Sequence, residues 1–263
     1  MISFVGAGPG AADLITLRGA QRLGTADVVV WASSLVPEAL LAHARPEAEV
    51  HDSATMTLED VLATYRRHPD AAIVRLHSGD PGIYGAVQEQ IDWCLAEERD
   101  FEIVPGVSSL AAAGAAVGRE LTIPGVAQSV VVTRLAGRTN ASMPARESVA
   151  AFAAIGATTA VFLSGARPHQ VQQELLGAGS AFTDQTPAAI VIRASWPDQR
   201  VVMTTVGDLA TDLAATGATR TVLVLVGPAL AGPAGRSHLY SPSFAHTFRR
   251  RSAPGSTAGR PAR

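Results

Sequence analysis

The sequence of 263 residues contains no lysine, so all 21 of its basic residues are arginine. That absence excludes chemistry routed through a lysine Schiff base and the lysine of a phosphate-binding loop. Cys94 is the single cysteine, which rules out a disulfide framework or a cysteine-based zinc site within one chain. It sits in the helical pattern "QIDWCLAEE" and reads as a small buried hydrophobe. Excess positive charge is missing too: the formal net charge of -2 argues against a nucleic-acid binder, which normally presents a basic face. No uninterrupted apolar run approaches the roughly 18 to 20 residues of a membrane span, since "TVLVLVGPALAG" is broken by Gly and Pro. The start, "MISFVGAGPG", has no basic leader, so a cytoplasmic location is expected. The seven histidines are scattered without H-x-x-x-H or other ligand spacing, and no metal is expected.

What is present is a long alternation. With 47% apolar and 17% charged residues, the chain can bury one large core or two modest ones. In its first half, "ISFVG", "ADVVVW", "AAIVRL" and "FEIV" read as strands, followed by helical stretches in "LITLRGAQRLG", "PEALLAHA", "YGAVQEQIDWCLAEE" and "SSLAAAGAAVG". Near-continuous Val and Ile predict a largely parallel sheet covered on both faces. Thr57 followed by Asp60 before "VLATYRR" predicts a capping box. The alternation pauses at "RELTIPGVAQ", where Pro124 and Gly125 suggest a hinge over residues 121–128 between an α/β domain at 1–120 and a second at 129–230. Five further strands follow, and "WPDQ" between two of them reads as a hairpin turn, so the second sheet should be mixed. Residues 250–263, rich in Arg, Gly, Pro and Ser, read as a disordered tail.

In open parallel sheets ligands bind beyond the carboxyl ends of strands, so the loops following strands are the place to look for function. "GAGPG" (Gly6 to Gly10) fits G-x-G-x-x-G/A with Ala11, and Asp27 lies about twenty residues on, the spacing of a dinucleotide-binding turn. Two details disagree: Pro9 removes a backbone N–H where a pyrophosphate would want one, and Asp27 precedes its strand rather than ending it. A plain structural turn is the bland alternative. "HSGDP" (His77 to Pro81) places a carboxylate in such a loop. Asp80 repels phosphate but accepts from ribose hydroxyls or pairs with a cation, unless it merely caps the helix expected at "IYGAVQEQ". His77 beside it reads as a packing residue under the loop, with a functional role as the alternative.

"VGAGPG", "LITLRGAQRL", "GDPGIYG" and "VPGVSS", in that order, resemble the tetrapyrrole (corrin/porphyrin) methylases, and the likeness runs from Phe4 to about Arg249. "ASSLV", "MTLED", "TRLAGRT", "IRASWPDQ" and "SHLYSPSFAHTFR" resemble the branch of that family that methylates precorrins. The resemblance implies a two-domain α/β methyltransferase, a homodimer, that takes S-adenosylmethionine between its domains and a precorrin tetrapyrrole as acceptor. By motif position it implies that Pro9, Gly79, Asp80, Ile83, Ser108 and Ser109 line the donor site from the first domain, and Ser164, Ala194 and Thr221 from the second. The family often carries Met or another bulky residue near Ser164 and Gly near Ala194, so these two positions depart from its pattern. Arginine forks suit the acetate and propionate groups of such an acceptor. Arg134 and Arg138 in "TRLAGRT" are the expected contacts, with Arg75, Arg167, Arg193 and Arg220 also near strand ends.

Overall fold

Strands built of unbroken Val, Ile and Leu need cover on both faces, and this requirement organises the molecule. The computed structural model describes residues 1–136, 143–144, 146–232, 237–241 and 244–249. The first sheet is wholly parallel, in the order β3-β2-β4-β1-β5: β1 (Ile2–Gly6), β2 (Val28–Trp31), β3 (Glu49–Asp52), β4 (Ile73–His77) and β5 (Phe101–Val104). On one face Val5, Val29 and Leu76 pack with Leu23 of α1 (Leu17–Gly24). On the other, Phe4, Val28 and Val30 meet Tyr65 of α2 (Leu58–Arg67) and Ile91 and Cys94 of α3 (Gln88–Ala96). Cys94 is buried, as expected.

The second sheet is mixed, in the order β6-β7-β10-β8-β9: β6 (Val130–Arg134), β7 (Thr158–Phe162), β8 (Pro187–Ile192), β9 (Arg200–Thr205) and β10 (Val222–Val226). Only the β6–β7 pair is parallel, and β8 and β9 form the antiparallel hairpin expected around "WPDQ". α5 (Val149–Ala153), α6 (Pro168–Leu175) and α7 (Leu209–Ala215) cover one face through Val149, Leu175 and Leu213. The other face is covered by α4 (Ser109–Ala116), a helix that follows β5 of the first sheet. Its sequence "SLAAAGAA" suits this: Ala112 and Ala113 lie against Ala160, Ala189 and Leu223. Small side chains let the helix pack closely on the sheet, and the two halves share a core.

The expected hinge is clamped. The Arg119 guanidinium donates to the carbonyls of Ala229, Ala231 and Gly232 at 3.0, 2.9 and 2.7 Å, and the Thr158 hydroxyl donates to Leu121 O. Ile123 and Ala127 are buried with Ala229. The capping box forms as predicted: Asp60 N–H donates to Thr57 Oγ1, and Thr57 N–H donates to Asp60 Oδ2.

Three elements differ from expectation, and the first is β3, which was not expected as a strand. "PEALLAHA" forms a 3-10 turn over Glu38–His43 rather than an α-helix. Pro81 does not lead directly into a helix: residues 81–87 are irregular, Tyr84 and Ala86 have φ of 56° and 47°, and α3 begins at Gln88. The cause is a tight reversal. The Gly85 carbonyl is held by His77, and a Cβ on Gly85 would collide with the Pro81 backbone. Arg138 and the expected tail at 250–263 lie outside the described residues.

Candidate active site

Three glycines bring three loops together at the adjacent ends of β4, β1 and β5. Gly8 and Gly79 exchange backbone hydrogen bonds at 3.2 and 2.8 Å, and Ala7 N–H donates to His77 O at 2.7 Å. A Cβ on Gly106 would run into the Gly79 carbonyl oxygen and stand 2.7 Å from Gly6 Cα. No residue with a side chain fits there. Asp80 closes the cluster: Gly82 N–H donates to its Oδ1 at 2.8 Å, and Gly106 N–H to its Oδ2 at 2.7 Å. The carboxylate is thus a bracket between two loops, with lone pairs left over. Ser108 caps α4, its hydroxyl accepting from Leu110 N–H.

The hairpin loop between β8 and β9 docks onto the first of these loops. Trp196 Nε1–H donates to Pro9 O at 3.0 Å, Ala11 N–H donates to Ser195 Oγ at 2.9 Å, and a Cβ on Gly10 would penetrate the Trp196 indole. Arg193 stacks 4.0 Å over the indole centroid and pairs with Asp198 at 2.6 Å.

Between the loops of the two sheets lies a cavity of about 380 Å³, within the usual range for a small-molecule site. Eight of the nine expected donor-site residues, Pro9, Gly79, Asp80, Ile83, Ser108, Ser109, Ala194 and Thr221, are on its wall. Ser164 is not. It is fully buried, its hydroxyl donating to Val161 O, and its neighbours Leu163 and Gly165 face the cavity instead. Backbone strain concentrates here. Among the described residues, the non-glycine positions with positive φ are Tyr84, Ala86, Leu163, Arg193, Ser195 and Thr221, in loops that wall or flank the cleft, and Glu98 elsewhere. Such strain, about 1 to 3 kcal/mol at each site, persists where surrounding structure enforces it and is concentrated at functional sites.

His77 lies beneath this wall, 5% exposed. Its Nδ1 is 2.9 Å from Gly85 O, so the neutral ring donates from Nδ1 and holds the 81–87 loop, while Nε2 is buried without a partner. Burial first, and the neighbouring Arg75 guanidinium second, pull its pKa down to about 4. A ring held neutral under the loop is a support.

Of the arginines, Arg220 is on the cavity wall. Arg75 is turned inward onto Ser53 Oγ and Val30 O, Arg167 donates to Ala136 O, and Arg193 serves Trp196. Arg134 lines a second cavity of about 310 Å³ with Thr133, Glu147 and Phe152. Tyr84 borders both cavities, so they are neighbours. Tyr84, Leu163 and Arg220 were not singled out from sequence as donor-site residues; the available signal was the place of Leu163 directly after β7 and of Arg220 just before β10.

The dinucleotide reading fails on geometry. After Gly10 comes a short 3-10 turn, and α1 starts only at Leu17, so no helix N-terminus meets the glycine loop. Asp27 sits at the opposite end of the sheet, pairing with Arg45 and accepting from Ala72 N–H.

Comparison with known proteins agrees with this architecture. The family model for tetrapyrrole (corrin/porphyrin) methylases matches residues 1–210. The chain belongs to the tetrapyrrole methylases. A precorrin-4 C(11)-methyltransferase from Sinorhizobium sp. is 44% identical over 253 residues, covering 95% of this chain and 98% of that protein. Among solved structures, a cobalt precorrin-4 methyltransferase superimposes with a TM-score of 0.83 at 41% identity, over 88% of this chain and 96% of the other. The uroporphyrin-III C-methyltransferase of Thermus thermophilus, in complex with S-adenosylhomocysteine, gives a TM-score of 0.72 at 29% identity, over 87% and 98%.

S-adenosylmethionine, the donor this family implies, suits the residues present. A side-chain-free stretch of wall at Gly79 admits close approach, Asp80 offers remaining acceptors to hydroxyls or a cation, and the walls are otherwise largely apolar.

Proposed function

We propose that this chain transfers the methyl group of S-adenosylmethionine to C-11 of precorrin-4, a step in building the corrin ring of cobalamin. The observation that carries the reading is the near full-length likeness to a precorrin-4 C(11)-methyltransferase, 44% identical over 95% of this chain. The cleft is consistent with it. In this reading Pro9, Gly79, Asp80, Ile83, Ser108, Ser109, Ala194 and Thr221 hold the donor, with Ser164 acting only by supporting Leu163 and Gly165.

The donor supplies an electrophilic methyl group on a sulfonium: the carbon–sulfur bond breaks with its electron pair kept by sulfur as the new bond to the ring carbon forms. The ring, having taken up the positive charge, loses one proton to solvent. Charge separation is not built up in such a displacement, so the chain's contribution is alignment and exclusion of water rather than proton transfer. Among the described residues the cavity wall carries no histidine and no cysteine, in keeping with that demand. Leu35, Ile83, Phe162 and Leu163 supply a water-excluding surface, and Asp80 fixes the loops that orient the donor. Arg134, in the cavity beyond Tyr84, and Arg138 are the proposed carboxylate contacts of the acceptor. The enzyme works as a cytoplasmic homodimer in this reading. Leu239, Tyr240 and Phe248, 51, 67 and 92% exposed, offer apolar surface that a second copy would cover.

The test is turnover of purified protein with S-adenosylmethionine and precorrin-4, with S-adenosylhomocysteine and a tetrapyrrole carrying one further methyl group formed in equal amounts. Failure to methylate any precorrin rules the reading out. The solved relative named for the cobalt complex favours a second acceptor form, so cobalt precorrin-4 belongs in the same assay as a competitor.

A further inference from the structure

Methyl transfer in the cleft uses no histidine, yet the fold gathers two of them around one carboxylate at the other end of the first sheet. Glu49 and His51 belong to β3, the edge strand, and their spacing of two puts both side chains on the same face. They are paired in register with Val28 and Val30, residues of the face that α2 and α3 cover. His68 ends α2. His51 Nε2 stands 2.7 Å from Glu49 Oε1, and His68 Nε2 stands 3.4 Å from Glu49 Oε2. One ligand atom from each of the three residues falls within 4.8 Å of the others.

We propose that Glu49, His51 and His68 bind one divalent transition-metal ion of the zinc class, separate from the methyl-transfer cleft. The donor set of two imidazoles and one carboxylate is one that zinc takes, with water completing the coordination. Ligand atoms about 2.0 to 2.1 Å from a tetrahedral zinc stand roughly 3.3 Å apart, so the 3.4 Å pair already has the right spacing. The 2.7 Å pair needs only a small opening. Although close to Glu49, His51 Nε2 is buried and makes no hydrogen bond of acceptable geometry, which leaves its lone pair to a ligand. The surrounding backbone is fixed. Glu49 N–H donates to Asp27 O at 2.9 Å, and the Arg99 guanidinium donates to His68 O at 2.8 Å. His68 also lies at the helix C-terminus, whose dipole favours a cation. A bound ion would tie the edge strand β3, paired on one side only with β2, to the end of α2.

The experiment is equilibrium dialysis of the untagged chain, stripped with chelator, against micromolar free Zn²⁺, read by metal analysis. The expected result is one equivalent bound, with affinity at least about 100-fold weaker in the His51→Ala/His68→Ala variant, since losing direct ligands costs no less than losing their outer partners. That variant is expected to keep its methyltransferase kcat. No binding by the wild type, meaning a plain ion pair, overturns the proposal, as does binding undiminished in a variant that is folded by circular dichroism. Should the variant misfold, X-ray absorption of the zinc-loaded wild type decides. Two imidazoles with oxygen ligands support the site, and any sulfur ligand or a larger imidazole count overturns it.

Discussion

Replacing Asp80 separates a bracket from a mere charge. Its two oxygens each accept one backbone N–H, Gly106 at 2.7 Å in a half-buried setting and Gly82 at 2.8 Å at the surface. Hydrogen bonds to a charged group are worth about 1.5 to 3 kcal/mol, with the exposed one at or below the low end because water replaces it. Asp80→Ala removes both and leaves Gly106 N–H unpaired, so it should destabilise the chain by about 3 kcal/mol. Asp80→Asn retains one acceptor, which the amide can turn toward Gly106, and should cost only about 1 kcal/mol. Because the bracket ties the loop of Gly79 to the loop that carries Ser108 and Ser109 to the cleft, Asp80→Ala should also weaken S-adenosylhomocysteine binding at least tenfold, about 1.4 kcal/mol. Urea unfolding gives the first pair of numbers and calorimetric titration the last. If Asp80→Ala binds and unfolds like the wild type, the bracket is unimportant. If Asp80→Asn costs as much as Asp80→Ala, charge rather than hydrogen bonding is the cause.

Gly106→Ala, whose Cβ meets the Gly79 carbonyl and Gly6, should abolish measurable S-adenosylhomocysteine binding and lower the Tm, whereas the same change at Gly118, whose Cβ meets nothing within 4 Å, should leave binding intact. His77 is held neutral, with a folded pKa of about 4 against 6.5 for the unconstrained ring, so the unfolded chain binds more protons across that window. This contribution is fully present above pH 6.5 and is lost as pH falls toward about 4, by up to about 3 kcal/mol at about 1.4 kcal/mol per pH unit. His77→Gln, which can still donate to Gly85 O, should flatten that part of the stability profile measured by denaturant titration at several pH values. Arg134→Ala should raise KM for the tetrapyrrole several-fold while S-adenosylhomocysteine affinity stays constant, and a fall in donor affinity would contradict its assignment to the acceptor.

The parts of the fold that could be read from sequence were those in which local pattern and burial agree. Runs such as "AAIVRL" and "TVLVLVG" became central strands with both faces covered, and "WPDQ" became the bend of a hairpin. β3 was missed because "EVHD" has one apolar residue, and an edge strand has little need of more. The irregular path from Pro81 to Val87 was hidden since left-handed φ at Tyr84 and Ala86 is imposed by His77 and by the Gly85 reversal, not by their own preferences. The loops that wall the cleft from the first sheet were visible as glycine-rich strand ends. Ser164 and its neighbours illustrate the limit: which of three consecutive residues faces a cavity depends on Leu163 taking a φ of 53°. The Glu49, His51 and His68 cluster has no spacing signature, because β3 and the end of α2 are brought together only by the sheet.

The central claim is that the cleft between the two sheets directs a methyl group onto C-11 of precorrin-4. It is tested most directly by turning the purified protein over with methyl-labelled S-adenosylmethionine and locating the label in the product by NMR. Label on the ring carbon C-11 is the predicted result; label on another carbon, or none in the tetrapyrrole, contradicts it.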